Sequence, residues 1–256
     1  MVMAEPSKEI ADFEAAKQAI VEVYPFESDV IAGTGFWLGG RCLMTCAHVV
    51  GKALNLKVKD YGNARDQKIR VCFAKAGHTN LLTVKVLYCK YEETKRGEDV
   101  AVLVLENPVC FEGRPIHLAP CFSQVFDSTV RSYAYICGKR GEYGGRGITA
   151  TTNGSDDNGW IQVEVSQDRG MAIAEGVSGA PVWCDNANAF VGMIVARDDL
   201  RPDDRVGFFI PVEELSEPRR LIHRQLLLDV LKPHENRLMR RVQSAYQVCR
   251  SDYAVG

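Results

Sequence analysis

The sequence has no long hydrophobic run, no secretory leader pattern and no paired cysteine spacing, and each absence narrows the class of protein. No segment approaches the roughly 18 consecutive apolar residues of a membrane-spanning helix. The first 20 residues lack a basic stretch followed by an apolar one, so we expect no secretory signal. The nine cysteines include no CxxC pair, and an odd number without such a signal predicts reduced thiols in a cytoplasmic protein.

A strong excess of either charge is also missing. The formal net charge of −2 gives no reason to expect nucleic acid as a partner, and we expect no membrane partner either. Residues 218–256 differ from the rest, because they carry eight Lys and Arg against three Asp and Glu. We interpret these arginines as a solvated helix face, and the alternative is a docking surface for an acidic partner.

The pattern along the chain predicts three regions. Residues 1–20 form an N-terminal helix, in which Phe13, Ala16 and Ile20 fall near one face. Residues 21–212 contain short β-rich runs separated by turn residues, which indicates an antiparallel barrel or sandwich. Residues 213–256 form a helical extension of two helices, 213–231 and 234–249, that are broken at Pro233.

Three segments carry residues with the chemistry of nucleophilic catalysis. They contain His48, Asp99 and Ser178, in that order along the chain. A serine hydroxyl needs a neighbouring base to take its proton, and histidine suits that task near neutral pH. A buried carboxylate orients the imidazole, and glycines beside the serine let two backbone N–H groups point at a developing oxyanion.

The same segments resemble the sequence motifs of trypsin/chymotrypsin-like serine proteases. Residues 45–48 (TCAH) resemble the T-A-A-H box, residues 99–103 (DVAVL) the D-I-A-L-L box, and residues 176–181 (GVSGAP) the G-D-S-G-G-P box. Residues 33–36 (GTGF) and 207–211 (GFFIP) look more like the HtrA-like and bacterial intracellular branches. The resemblance implies an all-β fold of two six-stranded antiparallel β-barrels, with the boundary between them along the chain near residues 110–125.

The resemblance also implies roles for individual residues. His48 is the general base and then acid, Asp99 orients it, and Ser178 is the nucleophile, while the amides of Gly176 and Ser178 form the oxyanion hole. No cofactor and no metal are expected, because the spacing of Cys42 and Cys46 near the histidine fits no zinc template. We interpret Cys46 as a core residue, and we expect Cys137 and Cys184 to be free thiols.

Two departures from the family pattern concern activation. Val177 stands where zymogen-type relatives have an aspartate that pairs with a newly cut N-terminus, and Val49 stands where they have a disulfide cysteine. Activation by insertion of a new N-terminus is therefore excluded. We expect the activity to be controlled in one of two ways. Either an activating partner or a recruitment domain acts through the tail 213–256, or the loops around the oxyanion hole become ordered.

The resemblance places the substrate pocket at four positions. Ala172 lies at the base, Gly207 on the wall, and Val195 and Arg197 on the opposite wall segment. An uncharged base predicts an apolar P1 residue, whereas an inward-pointing Arg197 would favour an acidic one. The expected function is a serine endopeptidase acting on a protein or peptide substrate, as the protease module of a prokaryotic signalling or defence system. The alternatives are a non-catalytic peptide-binding module and an esterase-type acyl hydrolase.

Overall fold

Short β-branched and apolar runs in the first half of the chain close into an antiparallel barrel in the computed structural model of the protein. The structure describes residues 8–92, 98–108, 113–120, 125–141, 144–156, 159–170, 173–197 and 205–229. The order of strands around the first barrel is β1-β2-β3-β6-β5-β4. These strands are β1 (Ile20–Tyr24), β2 (Gly33–Gly39), β3 (Cys42–Thr45), β4 (Lys68–Cys72), β5 (Leu82–Tyr91) and β6 (Asp99–Leu105).

The second half of the chain repeats this arrangement. Its barrel has the strand order β10-β11-β12-β9-β8-β7. The strands are β7 (Thr129–Ala134), β8 (Arg146–Ser155), β9 (Ile161–Gly170), β10 (Pro181–Cys184), β11 (Ala189–Arg197) and β12 (Val206–Pro211). The predicted double six-stranded antiparallel barrel is therefore confirmed.

The N-terminal helix ends earlier than the sequence pattern predicts. Helix α1 spans Lys8–Ala16, a 3-10 turn follows at Lys17–Ala19, and Ile20 already belongs to β1. The reason is tertiary, because the β-branched run that starts at Ile20 pairs with both β2 and β4. The predicted inner face is correct at Phe13, whose ring packs against Trp183 and Phe190 of the second barrel at 6.3 and 6.4 Å.

A C-terminal helix follows the second barrel, as the sequence predicts. A 3-10 turn at Val212–Leu215 leads into helix α3, which runs from residue 216 to residue 229, the last described position. The second predicted helix, 234–249, lies outside the described residues. Among the described helices, none is long and apolar enough to cross a membrane.

One ion pair fastens α3 to the first barrel. The Arg41 guanidinium donates to Asp229 Oδ1 from Nε at 3.0 Å and from Nη2 at 2.5 Å, and Gln225 Nε2 donates to the same oxygen at 2.9 Å. Burial alone would raise the pKa of Asp229, but the hydrogen bonds from Arg41 and Gln225 hold it below its ordinary value. The carboxylate therefore stays charged, and the pair stays formed, well into the acidic range.

This pair predicts how the docking of α3 depends on pH. Because the folded-state pKa of Asp229 is lowered, its contribution is complete above the ordinary carboxyl value of about 3.9 and is lost as the pH falls further. We expect Asp229→Asn to speed amide hydrogen exchange in residues 216–229 by about tenfold at pH 7. Exposed Glu27 supplies the control, since Glu27→Gln should leave that exchange unchanged. Equal exchange in all three proteins would show that the pair does not hold the helix.

Candidate active site

The barrel topology brings His48 and Asp99 together. Strand β3 ends at Thr45 and pairs antiparallel with Ala101 of β6, so the end of β3 lies beside the start of β6 at Asp99. Helix α2 (Ala47–Ala53) follows directly and places His48 in its first turn. Asp99 Oδ1 accepts from the His48 backbone N–H at 3.0 Å, and Oδ2 lies 2.5 Å from Nδ1.

This contact fixes the tautomer of the imidazole. Asp99 is only 3% exposed and accepts a hydrogen bond from Nδ1–H, which leaves the lone pair on Nε2, and the His48 side chain is 33% exposed. The neighbouring Glu98 is engaged elsewhere, because it accepts from Tyr88 Oη at 3.0 Å and pairs with Lys90 at 3.1 Å. Of the two adjacent carboxylates, only Asp99 contacts the histidine.

Ser178 is held at the seam between the barrels. Its carbonyl accepts from the Thr34 N–H at 2.9 Å, and the next residue, Gly179, donates its N–H to the Ile194 carbonyl at 2.8 Å. A Cβ atom on Gly179 would lie 1.9 Å from the Thr34 carbonyl oxygen, so the close approach of the barrels requires glycine here. The Ser178 hydroxyl donates to the Val195 carbonyl at 3.2 Å and makes no hydrogen bond to the described His48 ring.

The backbone beside Ser178 presents two N–H groups. Among the described residues, neither the Gly176 nor the Ser178 N–H has a backbone acceptor. The carbonyls of the same two peptide groups are engaged: Glu175 accepts from Cys137 at 3.0 Å, and Val177 accepts from Ala180 at 3.1 Å. Since N–H and C=O of a trans peptide point in opposite directions, anchoring each carbonyl aims the N–H the other way. Together these N–H groups can bind an oxyanion.

One cleft brings together most of the residues that the sequence points to. A cavity of about 410 Å³ is lined by His48, Asp99, Gly176, Ser178 and Val195. Gly207 is not among its lining residues and lies in β12, paired with Val163 of β9. Ala172 and the side chain of Arg197 lie outside the described residues.

Seven further residues that sequence reasoning did not identify line the cleft. They are Ala32, Lys52, Tyr91, Trp160, Ile173, Ala174 and Glu175. Ile173 could have been found, because it follows the predicted pocket base directly. Tyr91 pairs with Asp99 across β5 and β6, which becomes visible only once the strand register is known.

A charged contact spans the cleft near the two free N–H groups. Lys52 of α2 contacts the Glu175 carboxylate of the second barrel and lies 3.2 Å from Cys137 Sγ. The Lys52 and Glu175 side chains are 41% and 72% exposed, so solvent screens this pair and its contribution to stability is small.

Cys46 packs behind the pair of His48 and Asp99. The Cys46 thiol is completely buried and donates to the Ile194 carbonyl at 3.2 Å, as expected for a core residue. Burial, and next the charge of Asp99, raise the pKa of this thiol well above its ordinary value. Ligand atoms of Cys46, His48 and Asp99 lie within 4.8 Å of one another. A metal would need the thiolate, so the protonated thiol fits a packing role behind the histidine better than a metal site.

Comparison with known proteins agrees with this geometry. The sequence profile of the family described as Trypsin matches residues 16–217. The chain belongs to the trypsin family. It is a serine protease, and residues 16–217 comprise both barrels and the first residues of α3.

Solved structures show the same fold at low sequence identity. The active form of the Rv3671c protease of M. tuberculosis matches with a TM-score of 0.54 and 17% identity, covering 83% of this chain and 86% of its own. An inactive form of Rv3671c from M. tuberculosis H37Rv, with a serine-to-alanine substitution, matches with a TM-score of 0.52 and 16% identity. That match covers 84% of this chain and 94% of the Rv3671c chain. Among curated protein sequences, none is significantly similar to this chain.

The packing around Gly176 predicts a sharp effect of a single methyl group. Gly176 has a φ of 101°, and a Cβ atom there would lie 2.4 Å from the Cys137 nitrogen and 2.6 Å from the Tyr135 carbonyl oxygen. We expect Gly176→Ala to slow labelling by a fluorophosphonate probe by about 100-fold, because the displaced N–H no longer stabilises the oxyanion. Gly147→Ala is the matched control, since a Cβ there meets nothing within 4 Å. Unchanged labelling of folded Gly176→Ala would contradict the assignment of this N–H.

Proposed function

We propose that the chain is a serine endopeptidase that works through His48, Asp99 and Ser178. The observation that supports this most directly is the His48–Asp99 pair, with Nδ1 and Oδ2 2.5 Å apart, in the same cleft as Ser178. The free N–H groups of Gly176 and Ser178 supply the oxyanion hole in this proposal. Membership of the trypsin family supports the same roles.

The proposed reaction has two balanced halves. His48 Nε2 takes the hydroxyl proton as Ser178 Oγ attacks the peptide carbonyl carbon, and the oxyanion binds to the N–H groups of Gly176 and Ser178. The C–N bond then breaks, the imidazolium gives its proton to the leaving amine, and an acyl-enzyme remains. Water repeats the sequence on the ester, which releases the acid and restores Ser178. Asp99 stabilises the imidazolium in both halves.

We also propose an apolar P1 preference. Ile173, which is 7% exposed, lines the cleft together with Trp160 and Val195. Burial of an apolar P1 side chain against these walls stabilises the bound peptide by about 25 cal/mol per Å² of apolar surface removed from water. An acidic P1 is the alternative if Arg197 points inward, and the peptide profile described below separates the two.

The proposed setting is a bacterial cytoplasm. No disulfide joins the six described cysteines, which supports a reducing compartment; they are Cys42, Cys46, Cys72, Cys89, Cys137 and Cys184. A role as protease module of a signalling or defence system is proposed by analogy with similar domains. The tail supports an acidic activating partner, because α3 exposes Leu227 and Leu228 next to exposed Arg220 and Arg224.

A fluorophosphonate probe tests the proposed triad directly. We expect wild type to be labelled and Ser178→Ala not at all, because the probe bonds to the activated Oγ. Asp99→Asn should slow labelling by about 10⁴-fold through loss of the correct imidazole tautomer. Gel fluorescence after timed exposure, with circular dichroism to establish folding, gives both rates.

Glu98→Gln serves as the control, since this adjacent carboxylate does not contact His48 and should leave labelling within about threefold of wild type. Folded wild type that resists labelling between pH 6 and 9 would favour the peptide-binding module. Labelled protein that hydrolyses esters but no member of a peptide library would favour the acyl hydrolase.

Peptide-library cleavage tests the pocket. Ala172→Asp should shift the P1 preference from apolar side chains to Lys and Arg, because a carboxylate at the base of the pocket pairs with a basic P1 group. Ala174→Asp is the control. Ala174 also lines the cleft, and a carboxylate there should not create a preference for Lys and Arg. If Ala172→Asp remains active with an unchanged profile, the pocket base lies elsewhere.

A further inference from the structure

The backbone before and at Ser178 is fastened through every one of its carbonyl groups. We call residues 174–179 the oxyanion loop. Its first five carbonyls accept hydrogen bonds in turn from Val177 N at 3.2 Å, Cys137 N at 3.0 Å, Thr34 Oγ1 at 2.8 Å, Ala180 N at 3.1 Å and Thr34 N at 2.9 Å. Two of the five donors come from one residue, Thr34 of β2.

Four of the five donors are backbone N–H groups, and the fifth is the side-chain hydroxyl of Thr34. Thr34 is completely buried, and its hydroxyl donates to the Gly176 carbonyl while it accepts from the Tyr135 N–H at 2.9 Å. A longer approach to the Tyr135 carbonyl, 3.4 Å, is the weaker alternative for the same proton. The hydroxyl therefore bridges the oxyanion loop and the segment after β7, both of which belong to the second barrel.

Thr34 is also hydrogen-bonded to the strand that leads to His48. Its carbonyl accepts from Thr45 Oγ1 at 2.6 Å, and Thr45 is the last residue of β3, three positions before His48. The N–H, C=O and Oγ1 of Thr34 thus join the strand that leads to the base with the loop that carries the nucleophile. Thr34 therefore contacts both the strand that leads to His48 and the loop that carries Ser178.

We propose that Thr34 is a positioning residue that holds the oxyanion loop in its working shape without an activating cleavage. The inference rests on the proposed function of this site. Val177 lacks the carboxylate through which a new N-terminus could order the loop. In its place, Thr34 fixes the peptide group that follows Gly176, and this restrains the direction of the Gly176 N–H at the preceding peptide.

Loss of the hydroxyl has a defined chemical consequence. The Gly176 carbonyl and the Tyr135 N–H lose their partner inside the protein, and a buried polar group without a partner is costly. The peptide relieves this by rotating toward another donor, and glycine permits the rotation because it has no Cβ. The Gly176 N–H then leaves the position that an oxyanion requires.

Probe kinetics test the proposal with a set of three substitutions. Thr34→Val and Thr34→Ala should slow fluorophosphonate labelling by about 10- to 100-fold, somewhat less than removal of an oxyanion donor itself. Thr34→Ser keeps the hydroxyl and should restore the rate to within about threefold of wild type. With a peptide ester that wild type hydrolyses, the substitutions should lower kcat and leave KM nearly unchanged, because the Gly176 N–H stabilises the transition state.

Thr152 is the matched control for a buried threonine. It is also completely buried, accepts from the Ser128 N–H at 2.9 Å and donates to the Val125 carbonyl, away from the cleft. Thr152→Val should lower the melting temperature as much as Thr34→Val does but leave labelling within about twofold of wild type. Wild-type labelling rates in folded Thr34→Val and Thr34→Ala would overturn the proposal, and so would equal losses in Thr152→Val.

A second measurement separates this inference from the proposed function. In Thr34→Val, amide hydrogen exchange at Tyr135 and Val177 should become about tenfold faster, with no such change in Thr152→Val. This readout needs no catalysis. If wild type is never labelled but the exchange changes as expected, the proposed function fails and the role of Thr34 in the loop stands. Unchanged exchange refutes the role of Thr34 whatever the labelling result.

Discussion

The hydrogen bond from the Thr34 N–H to the Ser178 carbonyl lies where the two barrels meet, and the arrangement of the site depends on that meeting. The proposed nucleophile belongs to the second barrel, and the proposed base and its carboxylate belong to the first. Neither barrel contains the whole site. Gly179 makes the approach sterically possible, because any larger residue would collide with the Thr34 carbonyl.

Most of the fold could be predicted from local patterns. The β-rich runs of the sequence lie in strands of the structure, and the motifs around His48, Asp99 and Ser178 are short enough to be seen without knowledge of the fold. The end of α1 could not be predicted from its periodicity, because pairing of β1 with two neighbouring strands stops the helix before Ile20. Tertiary pairing overrides a weak helical preference here.

The walls of the cleft depend on contacts between distant segments. Trp160 precedes β9, Tyr91 ends β5 and Lys52 belongs to α2, so no sequence window contains more than one of them. The bridging role of the Thr34 hydroxyl is hidden for the same reason, since its acceptor lies 142 positions away. Residue types predict chemistry at a site, whereas the register of paired strands decides which side chains share it.

Three described groups whose pKa values respond to the charge of Asp99 are neutral: the thiols of Cys46 and Cys89 and the hydroxyl of Tyr61. Burial raises the pKa of the Cys89 thiol to about 12, and the charge of Asp99 contributes to this rise. The same two causes raise the pKa of the Tyr61 hydroxyl. The Cys46 thiol is protonated for the same reason. Both oxygens of Asp99 are occupied by His48, through its backbone N–H at 3.0 Å and its Nδ1 at 2.5 Å, and low local polarity strengthens these hydrogen bonds.

The packing of α1 has a consequence for the order in which the protein is made and folded. Phe13 is synthesised long before its aromatic partners Trp183 and Phe190, which belong to β10 and β11. Helix α1 therefore cannot complete its packing until the second barrel has been synthesised. A nascent chain that contains His48 and Asp99 but ends before β10 lacks both the proposed nucleophile and this closing contact, so we expect it to have no protease activity.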